Sequence, residues 1–88
     1  MTLKEIRAMF TPGSKWHALR VCENKASKHN DEIRIVDRLT SKAIIFLVPP
    51  NNQSYWTDLP KASHIKEARP GLLRFVYENG IEVVLTAL

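Results

Sequence analysis

Leu72-Leu73-Arg74-Phe75-Val76-Tyr77-Glu78-Asn79-Gly80-Ile81-Glu82-Val83-Val84-Leu85-Thr86-Ala87-Leu88 is the stretch that decides how this chain folds. Two runs of alternating β-branched and aromatic residues flank Glu78-Asn79-Gly80, the pattern of an antiparallel hairpin. A two-residue Asn-Gly loop would pair Glu78 with Ile81 and Arg74 with Leu85, mixing polar and apolar side chains on one face. A three-residue loop with Gly80 left-handed instead pairs Tyr77 with Ile81, Phe75 with Val83 and Leu73 with Leu85. Because a one-residue slip would scatter that apolar set, the second register is expected, and these six residues should form much of the core.

The same texture extends upstream. Lys15 to Glu23 reads as a strand with Leu19 and Val21 on one face and Trp16, Ala18, Arg20 and Cys22 on the other. Asn24 to Asp31 is a polar, basic loop. Glu32 to Leu39 is a second strand, placing Ile33 and Ile35 opposite Arg34, Val36 and Arg38. Ala43 to Val48 is a continuous apolar run of strand length, expected to be covered on both sides. Pro49 to Ser54 reads as a loop and Tyr55 to Asp58 as a short strand. Lys61 to Arg69 is either a helical turn or an edge strand, and the strand is preferred. At the other end, Thr2 and Glu5 form a capping box that opens a helix over residues 2–10. Leu3, Ile6, Met9 and Phe10 make its apolar stripe, and Pro12-Gly13 ends it.

Together these elements predict a mainly β (α+β) fold in a single domain, residues 1–88. The first reading is a small antiparallel SH3-like barrel of about five or six strands with a short N-terminal helix. An oligonucleotide-binding-type barrel and a curled sheet over a helix are the alternatives.

Composition narrows the function classes. With 88 residues, 44% of them hydrophobic, and a single cysteine, the chain has material for one core, no internal disulfide and no cysteine-based zinc site. A reducing cytoplasm is the expected setting. No apolar run approaches the ~18–20 residues of a membrane span, and Glu5 interrupts what would be a signal-peptide core, so neither export nor membrane insertion is expected. The formal net charge is +4, and residues 1–42 carry all of the excess, with nine basic against five acidic side chains. A local excess of this kind attracts phosphate or an acidic protein surface, and it also occurs as an ordinary solvated face.

Three function classes can be weighed on particular residues. Catalysis has little to stand on: Cys22 and His17 project from opposite faces of one strand, His29 and His64 stand apart, and no phosphate-cradling glycine loop is present. No catalytic residue, metal ligand or cofactor is therefore expected. For nucleic acid, Arg20, Arg34 and Arg38 could share an outward face with Trp16, while Lys25 and Lys28 decorate the intervening loop; cations around an aromatic ring suit a single strand. In one register Arg20 stands opposite Arg34, and in another opposite Glu32 as a surface ion pair, the arrangement preferred here. For protein binding, Tyr55 and Trp56 are adjacent on a strand, so one should fill the core while the other reaches the surface as an interface anchor. Either tryptophan can equally serve as core, Trp56 under the proline loop and Trp16 against the helix.

Phe10-Thr11-Pro12-Gly13-Ser14-Lys15-Trp16 after a short helix, Arg34-Ile35-Val36, and Trp56-Thr57-Asp58-Leu59-Pro60-Lys61-Ala62-Ser63 resemble segments of small accessory proteins of phages and mobile elements with a compact β-barrel fold. The resemblance implies a stoichiometric binder or inhibitor of a host protein, one involved in defence or in handling nucleic acid, and no catalytic residues. The partner expected is thus a host or phage protein, with nucleic acid as the alternative. The chain itself would be a monomer or a homodimer paired through an edge strand. A net charge of +4 argues against mimicry of DNA, which needs an acidic surface.

Overall fold

Thr2 and Glu5 start the helix as their spacing predicts. In the computed structural model, which describes residues 1–21 and 31–88, α1 spans Leu3–Met9. The Glu5 carboxylate accepts from the Thr2 backbone N–H at 2.9 Å, and the Thr2 hydroxyl accepts from the Glu5 N–H at 3.1 Å. Those bonds from Thr2 hold the exposed Glu5 carboxyl below the ordinary carboxylate range. Seven residues cannot persist as an isolated helix. Tertiary packing holds α1 in place: Ile6 and Phe10 are buried, and the Phe10 ring lies 4.4 Å from Trp16 and meets Phe46 edge-on at 6.4 Å.

The strands are β1 (Lys15–Val21), β2 (Asp31–Leu39), β3 (Ala43–Val48), β4 (Gln53–Asp58), β5 (Ile65–Arg69), β6 (Leu72–Val76) and β7 (Glu82–Ala87), with a 3-10 turn at Ala62–His64 before β5. Both readings of residues 61–69 are thus partly realised, a helical turn followed by an edge strand. All seven strands join one antiparallel sheet in the order β4-β3-β2-β1-β7-β6-β5. This departs from the expected barrel in two ways. Among the described residues there are seven strands rather than five or six, and β4 and β5 end the sheet without pairing to each other. The sheet curls instead. Ile44 and Phe46 from one half meet Leu73, Phe75, Val83 and Leu85 from the other in one core beside Ile6, Phe10 and Trp16. Full burial of each such side chain contributes about 1.5–3 kcal/mol. Across the curl, the hydroxyl of Tyr77, which follows β6, donates to the carbonyl of Asp58 at the end of β4 at 2.7 Å.

The C-terminal hairpin has the predicted register. Phe75 faces Val83 and Leu73 faces Leu85. Tyr77 N–H donates to the Ile81 carbonyl, and Gly80 adopts φ 84°, a left-handed conformation that a side chain would resist. β3 also matches its apolar run: Ile44 and Phe46 enter the core, and Ala43 and Ile45 are buried on the opposite side.

β2 is turned over relative to expectation. Ile33 is 50% exposed, whereas Arg34 is 2% exposed and Val36 is buried. The cause is the junction with α1. Gly13 N–H donates to the Val36 carbonyl at 2.7 Å, and Val36 N–H to Ser14 at 2.9 Å, fixing Val36 beneath the helix next to Trp16. Strand alternation then carries Arg34 and Glu32 inward and puts Ile33 and Ile35 outside. Neither register weighed from the sequence occurs, because Arg34 faces Trp16 and Glu32 faces Ala18. A bulge between Val36 and Arg38 resets the alternation, so Arg38 pairs with Ile45 and points away from Arg34. Among the described residues no helix is long and apolar enough to cross a membrane.

Candidate functional site

The inward turn of β2 places a guanidinium among aromatic rings. The Arg34 Cζ lies 4.0 Å from the Tyr55 ring centroid and 5.7 Å from that of Phe46. Its Nε donates to Glu32 Oε1 at 2.8 Å, a same-face neighbour two residues earlier on β2, and Nη1 reaches Thr57 Oγ1 at 3.4 Å. A buried cation needs such a counterion, since an unpaired charge in the interior is strongly destabilising. Nη2 is buried without an acceptor among the described residues. Tyr55 serves a second cation as well: Arg20 Nη1 donates to its hydroxyl at 2.7 Å.

These groups line a cleft of ≈ 590 Å³ inside the curl of the sheet. Arg20, Arg34, Tyr55 and Thr57 form its polar wall. Tyr77, Leu59, Pro60, Ile81 and Val83 form a more apolar one, with Lys61, His64, Asp58 and Glu78 at its margins. The Tyr77 phenol is pushed up to about 12, first by burial and then by the neighbouring Asp58 carboxylate.

The sequence-derived candidates are therefore redistributed. Arg20 and Arg34, expected together on an outward basic face, and Tyr55, expected as a protein-binding candidate, converge on one cluster. The outward basic face does not assemble, because Arg34 is buried and Trp16, 2% exposed, packs on Phe10 instead. Arg38 is exposed on the other side of the sheet and paired with Asp37 at 3.2 Å. Lys25 and Lys28 lie outside the described residues, as do Cys22 and His29. His17 points outward and pairs with Asp31. Among the described residues no group of three or more His, Cys, Asp or Glu could hold a metal ion. From the sequence Glu32 is expected only as a surface partner of Arg20 and Tyr77 only as a core residue, and Thr57 has no expected role at a site. The i, i+2 spacing of Glu32 and Arg34 was the available signal for a same-face ion pair.

Tyr55 and Trp56 do separate as strand alternation requires. Tyr55 turns inward with its ring over Arg34, and Trp56, which also borders the cleft, is 61% exposed on the other face of the strand. On that outer face Trp56 pairs with Ile45, and Leu47 pairs with Ile35. With Ile33 two residues further along β2, these side chains form a diagonal apolar stripe across β4, β3 and β2. Its two ends are the most exposed of the five, and Val21 at 40% exposed lies on the same face of β1.

No protein-family model, curated protein or solved structure matches this chain.

Proposed function

We propose that this chain is a non-enzymatic binding protein that makes stoichiometric contact with a host or phage protein through the outer face of β4, β3 and β2 that carries Trp56. The observation that carries this reading is the 61% exposure of Trp56 at one end of an apolar stripe that ends on Ile33. A large aromatic on a regular strand, flanked by aliphatic side chains, supplies contact area at little conformational cost, as interface anchors do. The net charge of +4 favours encounter with an acidic partner. This reading also agrees with what the segment resemblance to small accessory proteins of phages and mobile elements implies, since proteins of that kind often work by stoichiometric binding.

Affinity capture from nuclease-treated bacterial lysate tests the proposal. A partner retained in equimolar amount by the parent chain should be lost on Trp56→Ala and Ile33→Asp, while the thermal unfolding midpoints of both variants stay near the parent's. Equal capture by the parent and both folded variants rules out the outer face. Capture that disappears on nuclease treatment favours the alternative, a nucleic-acid-binding chain, which retains exposed Arg38 but has lost Arg20 and Arg34 to the cleft.

A further inference from the structure

We infer that the cleft behind Tyr55 binds a carboxylate carried on an apolar or aromatic body, with the carboxylate accepting from Nη2 of Arg34. Trp56 borders this cleft as well, but the proposal rests on Arg34 and Thr57 rather than on the exposed indole, so Arg34→Met tests it separately from the outer docking face.

The polar wall offers donors and few acceptors. Arg34 is held in place by Glu32 at Nε, Thr57 at Nη1 and the Tyr55 ring across its face, leaving Nη2 as a buried donor with nothing to accept from it among the described residues. Such a group is costly unless a partner arrives. The two hydroxyls beside it are already acceptors: Thr57 Oγ1 from Arg34 and Tyr55 Oη from Arg20. Among the described residues neither hydroxyl donates elsewhere, which leaves each a proton to donate. Nη2 has essentially no accessible surface in this structure, so a ligand reaches it by displacing the side chains that cover it, and then meets Nη2 and two hydroxyls, a set that selects an anionic oxygen over a neutral amide.

Charge and shape narrow the anion. Arg20, Arg34 and Lys61 are offset by Asp58, Glu78 and the Glu32 that pairs with Arg34. The local balance suits a monoanion better than a phosphate dianion. A volume of ≈ 590 Å³ exceeds what a bare ion needs and falls within the range of small-molecule sites. Leu59, Pro60, Tyr77 and Ile81 give the rest of the ligand apolar surface. A free aromatic acid and the C-terminal carboxylate of a peptide ending in phenylalanine present this same chemistry.

Amide NMR titration of the ¹⁵N-labelled chain separates the cases. The probes are phenylacetate against phenylacetamide, and a tetrapeptide ending in phenylalanine as free acid against its C-terminal amide. At least one acid should saturate, shifting Tyr55 and Thr57, with its amide bound at least about tenfold more weakly. The tighter of the two acids identifies the source. Arg34→Met, in a chain that keeps its dispersed spectrum, should abolish the preference for acid over amide, and Thr57→Val should weaken it. Equal binding of acid and amide to the parent chain overturns the inference without recourse to any variant. So does the absence of saturation by either acid up to about 10 mM, or an undiminished acid preference in folded Arg34→Met.

Discussion

The inner and outer sides of β2 and β4 carry side chains in the reverse of their usual distribution. Inside lie Glu32, Arg34, Tyr55 and Thr57; outside lie Ile33, Ile35 and Trp56. On β6 and β7 the partition is ordinary, with Leu73, Phe75, Val83 and Leu85 inside and Arg74 and Glu82 bridged at 3.2 Å outside. The difference teaches that a strand's orientation is set by its most constrained residue and not by a vote of its side chains. On β7 the constrained residues and the majority agree. On β2 a single residue, Val36, is pinned by Gly13 and Ser14 beneath α1, and period-two alternation obliges Arg34 to follow it inward.

The largest expected effect comes from breaking the compensation inside. Glu32→Ala removes the counterion of a buried guanidinium and should destabilise the fold by about 3 kcal/mol. Glu32→Leu combined with Arg34→Met, which removes both charges, should return to within about 1 kcal/mol of the parent. Urea midpoints for the single and double variants measure the difference. A double variant as unstable as Glu32→Ala would mean that shape, and not charge pairing, keeps β2 turned over.

A smaller effect should appear at alkaline pH, where Tyr77 links the cleft to Asp58. In the fold its phenol is pushed up to about 12 from an ordinary 10.0, so the folded state prefers the neutral, donating form. That contribution is complete below pH 10.0 and is lost as pH rises from 10.0 towards about 12. Urea midpoints measured across this window should fall more steeply for the parent chain than for Tyr77→Phe. Identical slopes would show that the bond from Tyr77 to Asp58 adds nothing to the stability of the curl.

The smallest effect belongs outside. Ile33→Thr keeps a β-branched residue on a half-exposed strand position and should change stability by no more than about 0.5 kcal/mol. A loss several times larger would show that Ile33 is covered in solution.

How much of this could be read from the residues follows from the same contrast. The C-terminal hairpin was legible to the register, because Glu78-Asn79-Gly80 fixes the turn and six apolar side chains agree with it. Thr2 and Glu5 announced α1 through local hydrogen bonds alone. The face of β2 was not legible, because the decision is made by contacts between Val36 and a segment 22 or more residues earlier in the chain. Ile33 and Ile35 argued for the wrong side. Nor could spacing reveal that Arg20 and Arg34 would share Tyr55, a convergence that depends on the curl. The bulge at Asp37, which separates Arg38 from them, has no signature in an otherwise regular strand.

β7 lies between β1 and β6 in the sheet order. The first strand in chain order therefore completes its hydrogen bonding only when the last one arrives, with Trp16 opposite Ala87 and Val21 opposite Glu82. Such sequence-distant pairing raises the contact order of the native topology and slows folding relative to a chain of nested hairpins. During synthesis β1 to β4 emerge with one flank of β1 unpaired, and only the appearance of β7 on the nascent chain seals it. Removing the final hairpin would thus deprive the N-terminal half of its neighbour as well as its own share of the core.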